Sequence, residues 1–307
     1  MPSVSILTTT YNRGHKIGGL YDSLVSQSCL DFEWIVVIDG STDQTEELVR
    51  EWSRQAPFPI RLVVKENGGK HTALNRAFDI MQGEFAVIVD DDDIMLTDAV
   101  KNIVSLGKKT LQVHKEARKS AQSPICGFAT PVVHFDSNPI TTDTPDDGTV
   151  TEYMTLRYRT KTLGDIAEVY RVKYLRQFRF PEFSGEKFCG ENYLSASLAL
   201  HFRLIWYDKP LFMREYPPDG LSSKFVRLMI ASPHCAATLY SLLARHPLQT
   251  FKGRIISMTT YWTYIMFSKL PWRLRIQQVG IASLPCLIPA AALRLYYKLN
   301  PHAWPLT

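Results

Sequence analysis

Four short apolar runs, over residues 4–8, 34–38, 60–65 and 85–89, each stop at a polar or glycine-containing turn, and each turn leads into a helix-like stretch, over 17–27, 44–55, 70–81 and 97–106. Strand and helix alternating in this way leave few architectures open. The strands must run mainly parallel, because each crossover helix returns the chain to the starting edge, and the helices then cover both faces of the sheet. The predicted fold class is therefore α/β, a mixed, mostly parallel sheet flanked by helices. Ligands of such sheets bind outside the carboxyl ends of the strands. The turns Thr9 to Arg13, Asp39 to Asp43 and Asp90 to Asp93 all fall at that edge, so they converge on one crevice suited to a phosphorylated nucleotide.

The last of these turns is four consecutive aspartates, Asp90 to Asp93. Like charges at this density repel, and a buried tetrad needs a compensating cation. Oxygen-only ligands suit a hard divalent ion, Mg²⁺ or Mn²⁺, which shares its shell with substrate phosphates; a solvated acidic turn is the plainer alternative. After the second run, Gly40 permits a sharp turn and Ser41, Thr42 or Asp43 can cap the following helix. Before the third helix stands Glu66-Asn67-Gly68-Gly69-Lys70-His71-Thr72. Paired glycines let backbone approach a ligand, and helix N-terminal amides with an ammonium favour phosphate, although an ordinary turn with an exposed lysine has the same spelling.

Taken together, Val4 to Arg13, Asp31 to Asp43, the Gly-Gly-Lys-His-Thr segment and the Asp90 cluster resemble the family 2 glycosyltransferases of the GT-A fold, over most of the first hundred residues. The Gly-Gly-Lys-His-Thr variant is similar to a bacterial subgroup. The resemblance implies that Thr9, Thr10, Tyr11 and Asp39 cradle the nucleoside, with Asp39 reading a uracil base of a UDP-sugar; Lys70, by its place after the paired glycines, is the lysine that would meet phosphate. It implies that the Asp-x-Asp signature maps onto Asp90, Asp91 and Asp92, with Asp90 or Asp91 near the ribose and Asp92 as direct ligand of Mn²⁺ or Mg²⁺. Asp93 reads as a helix-capping or supporting charge. Two departures stand out: Thr9 and Ile38 occupy places where the family usually has proline and a further aspartate.

An inverting transfer also needs a base for the acceptor hydroxyl. The family supplies it from a later acidic motif, usually Glu-Asp, and here the best match is Gly185 to Leu194 followed by a helix-like stretch and Arg203. That assigns the base to Glu191, with Asn192 in the aspartate's place and Glu186 in reserve. Alternatively both glutamates are helix-start charges. Residues 207–216 read as a closing strand with a polar loop at 219–223; Arg214 or Ser222 would touch phosphate or lie in a surface turn. Residues 108–123, lysine-rich without a regular apolar stripe, and the loop-like 136–148 suggest lids or acceptor-contacting segments.

The expected organisation is a catalytic domain over 1–223, with a nucleotide-binding half at 1–105 and an acceptor half at 106–223, followed by a basic helical region at 224–307. Five cysteines without paired spacing argue against zinc and a secreted disulfide framework. The first strand begins so early that no signal peptide is expected, and a cytoplasmic location follows. The net charge of +5 hides an asymmetry: from Gly220 onward there are ten Lys or Arg and no Asp or Glu, leaving 25 basic against 30 acidic residues before it. Two uncharged stretches in this tail, 255–268 and 276–293, are too short or too broken to span a bilayer. Tyr261, Trp262, Tyr264 and Phe267 with bordering cations instead suggest helices lying in the interface of an anionic membrane, drawn there by charge; helices packed on the protein are the alternative, and nucleic acid is not expected.

The resemblance thus implies an inverting, metal-dependent transferase moving a sugar from a nucleotide-diphosphate donor to a glycan or lipid-linked acceptor in cell-surface polysaccharide synthesis, and the basic tail places it peripheral on the inner membrane face. Two rival readings are a haloacid-dehalogenase-like phosphatase with Asp90 as nucleophile, and a non-catalytic nucleotide-sugar-binding subunit, motivated by Asn192.

Overall fold

The computed structural model of the chain describes residues 1–119, 123–216 and 224–300. By their contacts they form two compact units, Met1–Arg179 with His201–Glu215, and Phe180–Leu200 with the chain from Tyr216 onward. This division differs from a single cut at residue 223: the segment carrying Glu186 and Glu191 belongs to the second unit.

The first unit begins β1 (Val4–Thr10), α1 (Ile17–Val25), β2 (Phe32–Asp39), α2 (Thr45–Gln55), β3 (Ile60–Lys65), α3 (Lys70–Ile80), β4 (Phe85–Ile88). It continues through β5 (Ile94–Met95), α4 (Ala99–Lys119), β6 (Ile125–Pro131), β7 (Val150–Thr151), α5 (Tyr153–Thr155), β8 (Ile166–Arg171) and α6 (Val172–Leu175), then β9 (Arg203–Trp206) and β10 (Phe212–Met213). Among the described residues eight strands form one sheet in the order β3-β2-β1-β4-β8-β6-β9-β7, and β10 pairs with β5 apart from it. The strands β3, β2, β1 and β4 are mutually parallel, whereas β8 runs against both β4 and β6. The alternation read from the sequence is therefore present, strand for strand, through β4.

Burial explains the spelling of the strands. Every residue of β2 is buried, as in a strand covered on both faces, and its core is an unbroken apolar run. At the edge, β3 is only partly buried and carries Arg61 and Lys65, charges that discourage further strand pairing. Tyr21 of α1 stacks on Trp52 of α2 at 4.3 Å, over a core containing Ile6, Trp34, Val36 and Val49. Each such large side chain contributes about 1.5–3 kcal/mol on burial.

Helix α4 corrects the reading of 108–123, since it continues through Lys119. Its inward stripe is Ile103, Leu106, Thr110, His114 and Ala117, all buried. The helical spacing is regular, but two of its positions are polar, so the stripe is invisible to an apolar count. Thr110 bonds back to the Leu106 carbonyl, and His114 Nδ1 accepts from the Ile125 amide. The 207–216 stretch is strand only at Phe212–Met213, while 136–148 is largely irregular, as expected. Ser222 and the 219–223 loop lie outside the described residues.

The second unit holds α7 (Asn192–Leu198), α8 (Phe225–Ala231), α9 (Pro233–Arg245), α10 (Phe251–Ile265), α11 (Trp272–Val279) and α12 (Leu287–Leu299). Its core joins Ala237, Tyr261, Trp262, Ile265, Cys286 and Ala290. Tyr261, Trp262 and Tyr264 are fully buried, which corrects their assignment to a membrane-facing surface. No single helix among the described residues is long and apolar enough to cross a membrane.

Gly40 turns the chain between β2 and α2 at φ +75°, and a Cβ there would sit 2.6 Å from the Asn67 amide nitrogen. Gly40→Ala is expected to lower stability by about 1–3 kcal/mol, read from urea unfolding; an unchanged midpoint would show that the turn relaxes freely.

Candidate active site

Because β1 lies between β2 and β4, the chain order reverses at β1, and it is outside the carboxyl ends of the strands at such a point that α/β sheets bind ligands. Four turns meet there. The turn after β1 is tied to the turn after β2: the Asn12 amide donates to Ser41 Oγ at 2.9 Å, and the Thr42 amide donates to Asn12 Oδ1 at 2.7 Å. Asp43 accepts from the amides of Gly14 and Thr45, each at 3.1 Å, which fixes the start of α2. Thr10 is buried, Thr9 half-buried, and Tyr11 is 49% exposed.

Asp39, buried at the end of β2, organises the third turn. Its Oδ1 accepts from Lys65 Nζ at 2.6 Å and the Gly68 amide at 2.9 Å; its Oδ2 accepts from the Gly69 amide at 2.7 Å and Asn67 Nδ2 at 3.2 Å. Gly69, at φ +94°, is the N-cap of α3, a conformation that favours glycine. The clamp places Lys70 on the first turn of α3, where its ammonium pairs with Asp90.

The aspartate tetrad is neutralised by side chains of three different turns. Arg13 Nη1 donates to Asp91 at 2.7 Å and to Asp92 at 2.9 Å. Lys70 holds Asp90. Arg214 donates to Asp93 through Nε at 2.9 Å and Nη2 at 2.6 Å, to Asp90 at 3.1 Å, and through Nη1 to Asp165 at 2.6 Å. Strand register explains the contact with Asp93. With Met213 opposite Ile94 in the antiparallel β5–β10 pair, the next residue back from Ile94 lies opposite the next one on from Met213. Asp93 is thus an internal ion-pair partner, consistent with a supporting charge.

The electrostatics follow from that wiring. Burial opposes ionisation of Asp90, but Lys70 and then Arg214 hold its carboxyl well below the usual carboxylate range. Burial disfavours the charged Arg214 guanidinium too, yet Asp90, Asp93 and Asp165 together keep it charged. Asp90 and Asp93 share this one guanidinium, and burial pushes the drier Asp93 carboxyl up to about 7, with the neighbouring Asp90 charge adding to it and Arg214 opposing. Burial also raises Asp91, against the pull of Arg13.

No three His, Cys, Asp or Glu side chains among the described residues form an all-protein metal cage. The donor set nevertheless fits Mg²⁺ or Mn²⁺ as these ions bind nucleotides, through one or two carboxylates and the phosphates themselves. Asp92 is the candidate ligand: its side chain is 28% exposed and meets Arg13 through Oδ2.

Glu186 and Glu191, in the second unit, differ in setting. Glu186 is buried and caps α9, with Oε1 accepting from the His234 amide at 2.9 Å and His234 Nδ1 at 2.6 Å, and Oε2 from the Cys235 amide at 2.8 Å. Glu191 is exposed and is itself the N-cap residue of α7. Arg13, Lys65, Asn67 and Asp165 are site residues to which sequence reasoning gave no individual role, and Arg214 was left between phosphate contact and surface turn. Only the pairing of β10 with β5 reveals Arg214's place.

Residues 5–111 match the family model described as Glycosyl transferase family 2. An uncharacterized glycosyltransferase of Nostoc sp. is 28% identical over 103 residues, 34% of this chain and 32% of its own length. The chondroitin synthase of Pasteurella multocida is 35% identical over 101 residues, 33% of this chain and 10% of its own. The matched region thus spans about a third or less of these curated relatives. S. aureus TarS 1-349, solved in complex with UDP-GlcNAc, superposes over 98% of this chain and 92% of its own, with TM-score 0.54 at 17% identity. The mannosyltransferase PcManGT from Pyrobaculum calidifontis, solved with GDP-Man and Mn²⁺, covers 97% of this chain and 76% of its own, with TM-score 0.50 at 20% identity. These likenesses show the fold: a GT-A, mixed and mostly parallel sheet flanked by helices, as the sequence implies.

Arg214→Met would leave three carboxylates short of a partner. Removing one member of a buried ion pair costs about 3–5 kcal/mol, so a clear fall in the denaturation midpoint is expected; a melt like the wild type's would show that Asp90, Asp93 and Asp165 need no guanidinium.

Proposed function

We propose that this chain is an inverting glycosyltransferase that moves a sugar from a nucleotide-diphosphate donor to the hydroxyl of a glycan or lipid-linked acceptor. One observation carries the reading: the turns that match the family model lie together at the carboxyl edge of parallel strands, where α/β sheets bind nucleotides. Placement of the acidic motif after the fourth strand, rather than the first, weighs against the phosphatase alternative. The bacterial subgroup marked by Gly-Gly-Lys-His-Thr is part of the same proposal.

In this reading Thr9, Thr10 and Tyr11 bound the nucleoside pocket, and Asp39 meets the base while holding the Asn67–Gly69 turn. Lys70 and Arg13 supply positive charge for the donor phosphates, at sites where each now balances an aspartate. Asp90 or Asp91 stands near the ribose. Asp92 would hold Mn²⁺ or Mg²⁺, which when bound stabilises the charge of the departing diphosphate. Glu191 takes the proton from the acceptor hydroxyl as its oxygen bonds to the anomeric carbon and the bond to the diphosphate oxygen breaks. UDP-sugars are favoured through Asp39. Support for a nucleotide-sugar donor comes from neighbours solved with UDP-GlcNAc and with GDP-Man, which differ in the base. The setting proposed is the cytoplasmic face of a membrane, in cell-surface polysaccharide assembly.

Nucleotide release from uridine, guanosine and thymidine diphosphate sugars, with and without Mn²⁺, is the direct test; metal-dependent release from a uridine donor is expected. Binding confined to guanosine donors would overturn the base assignment, and binding without any turnover would favour the non-catalytic alternative. Asp92→Asn is expected to weaken metal-dependent donor binding and transfer together.

Glu191→Gln is expected to leave donor affinity near normal while kcat falls by about 10²-fold or more. Glu186→Gln, which weakens the α9 cap, is expected to cost about 0.5–2 kcal/mol of stability with kcat little changed. The reverse pattern, an inactive Glu186→Gln with a normal melt beside an active Glu191→Gln, would transfer the base role to Glu186.

A further inference from the structure

Helix α12 is apolar on two sides. Its inner side packs into the second unit's core through Ala290 and Tyr297, the latter stacked on Tyr264 at 6.2 Å. Its outer side carries Ile288, Ala291, Ala292, Leu295, Tyr296 and Leu299, all exposed. Their spacings of three and four residues place them on one continuous stripe. Ile288 is 82%, Leu295 59% and Leu299 73% exposed, and Ile281, in the turn before the helix, is 73% exposed. Single exposed apolar side chains need no explanation, but a contiguous stripe marks an interaction surface.

The charge of this part of the chain selects the partner. From Gly220 onward the chain has ten Lys or Arg and no acidic residue. Lys298, on the stripe's flank, and Arg273 and Lys252 are exposed. Trp272 is 53% exposed, with the Arg275 guanidinium 5.2 Å from its ring centroid, a side chain suited to the headgroup boundary. The thirteen residues of α12 make a rod of about 20 Å, short of the roughly 30 Å hydrocarbon core. Only when Trp272–Val279 is joined to Ile281–Leu299 is there enough apolar length for a span, and these two segments are bent by 105°. Gly280, at φ +80°, lies at the break.

We infer that the outer face of α12, with Ile281, docks on an anionic lipid bilayer, its apolar stripe in the acyl boundary and the cations of the second unit on the headgroups. This narrows the membrane setting proposed above to one surface, and it moves the contact from the aromatic residues of α10, which are interior, to α12. The catalytic unit's chemistry is not required for it.

The 307-residue protein is sedimented with vesicles of phosphatidylcholine alone or mixed with phosphatidylglycerol, and UDP-sugar affinity is measured in the same preparations. Binding to the mixed vesicles at low salt, weakened by added salt and by omission of phosphatidylglycerol, is expected. Ile288→Glu with Leu295→Glu should lower the partition coefficient by about tenfold or more at unchanged melt and donor affinity. Lys298→Glu with Arg273→Glu should remove the phosphatidylglycerol dependence and leave the weak background. Failure of wild-type protein to bind at low salt, or equal binding by the Ile288→Glu, Leu295→Glu protein, would overturn the inference. So would a wild-type dimer in sedimentation velocity that this double variant splits while vesicle binding is absent, because the stripe would then be a contact between copies. Loss of donor binding with vesicle binding intact would instead count against the glycosyltransferase reading alone.

Discussion

Four adjacent carboxylates at the end of one strand impose a charge constraint that the rest of the catalytic unit answers. Two of the four, Asp91 and Asp93, are buried, and burial without compensation would cost several kcal/mol per charge. Compensation arrives from Arg13 after β1, Lys70 at the start of α3 and Arg214 after β10. No two of these are neighbours in sequence. The sheet order that sets β1 beside β4, and the two-residue pairing of β10 with β5, are therefore also the means by which the cluster is neutralised.

A second chain of dependence runs through Asp39. Its carboxylate holds Lys65, Asn67 and the amides of Gly68 and Gly69, and so sets the first turn of α3. Lys70 stands on that turn and pairs with Asp90. The end of β2 and the end of β4 are thus linked through a loop that belongs to neither, and any ligand group drawing on Asp39 acts on a residue that already fixes the position of Lys70. A site prepaired in this way keeps its carboxylates and cations oriented, since most of its polar atoms already have defined partners.

The places where sequence reading failed share a physical cause. The apolar strands through β4 were legible because period and burial coincide there. The inward stripe of α4 was missed because Thr110 and His114 satisfy their polar atoms locally and can then be buried like apolar residues. Tyr261, Trp262 and Tyr264 read as interfacial because aromatic residues serve both cores and membrane boundaries, and only packing shows which. In the sequence Glu191 stood ahead of Glu186 as the base by motif position alone. The folded chain separates them, Glu186 buried against the amides that open α9 and Glu191 exposed at the start of α7.

By itself the sequence determined the α/β class, the strand ends where polar turns gather, the identity of the acidic and glycine-rich segments, and the absence of acidic residues from the last part of the chain. All of these are local: periodicity, turn chemistry and charge count need no knowledge of distant residues. The tertiary structure decided which cation meets which carboxylate, that Asp39 is a clamp on the loop before α3, and which side of α12 is left uncovered. Those facts rest on pairings across as many as 124 positions, and no local pattern encodes a partner that far away.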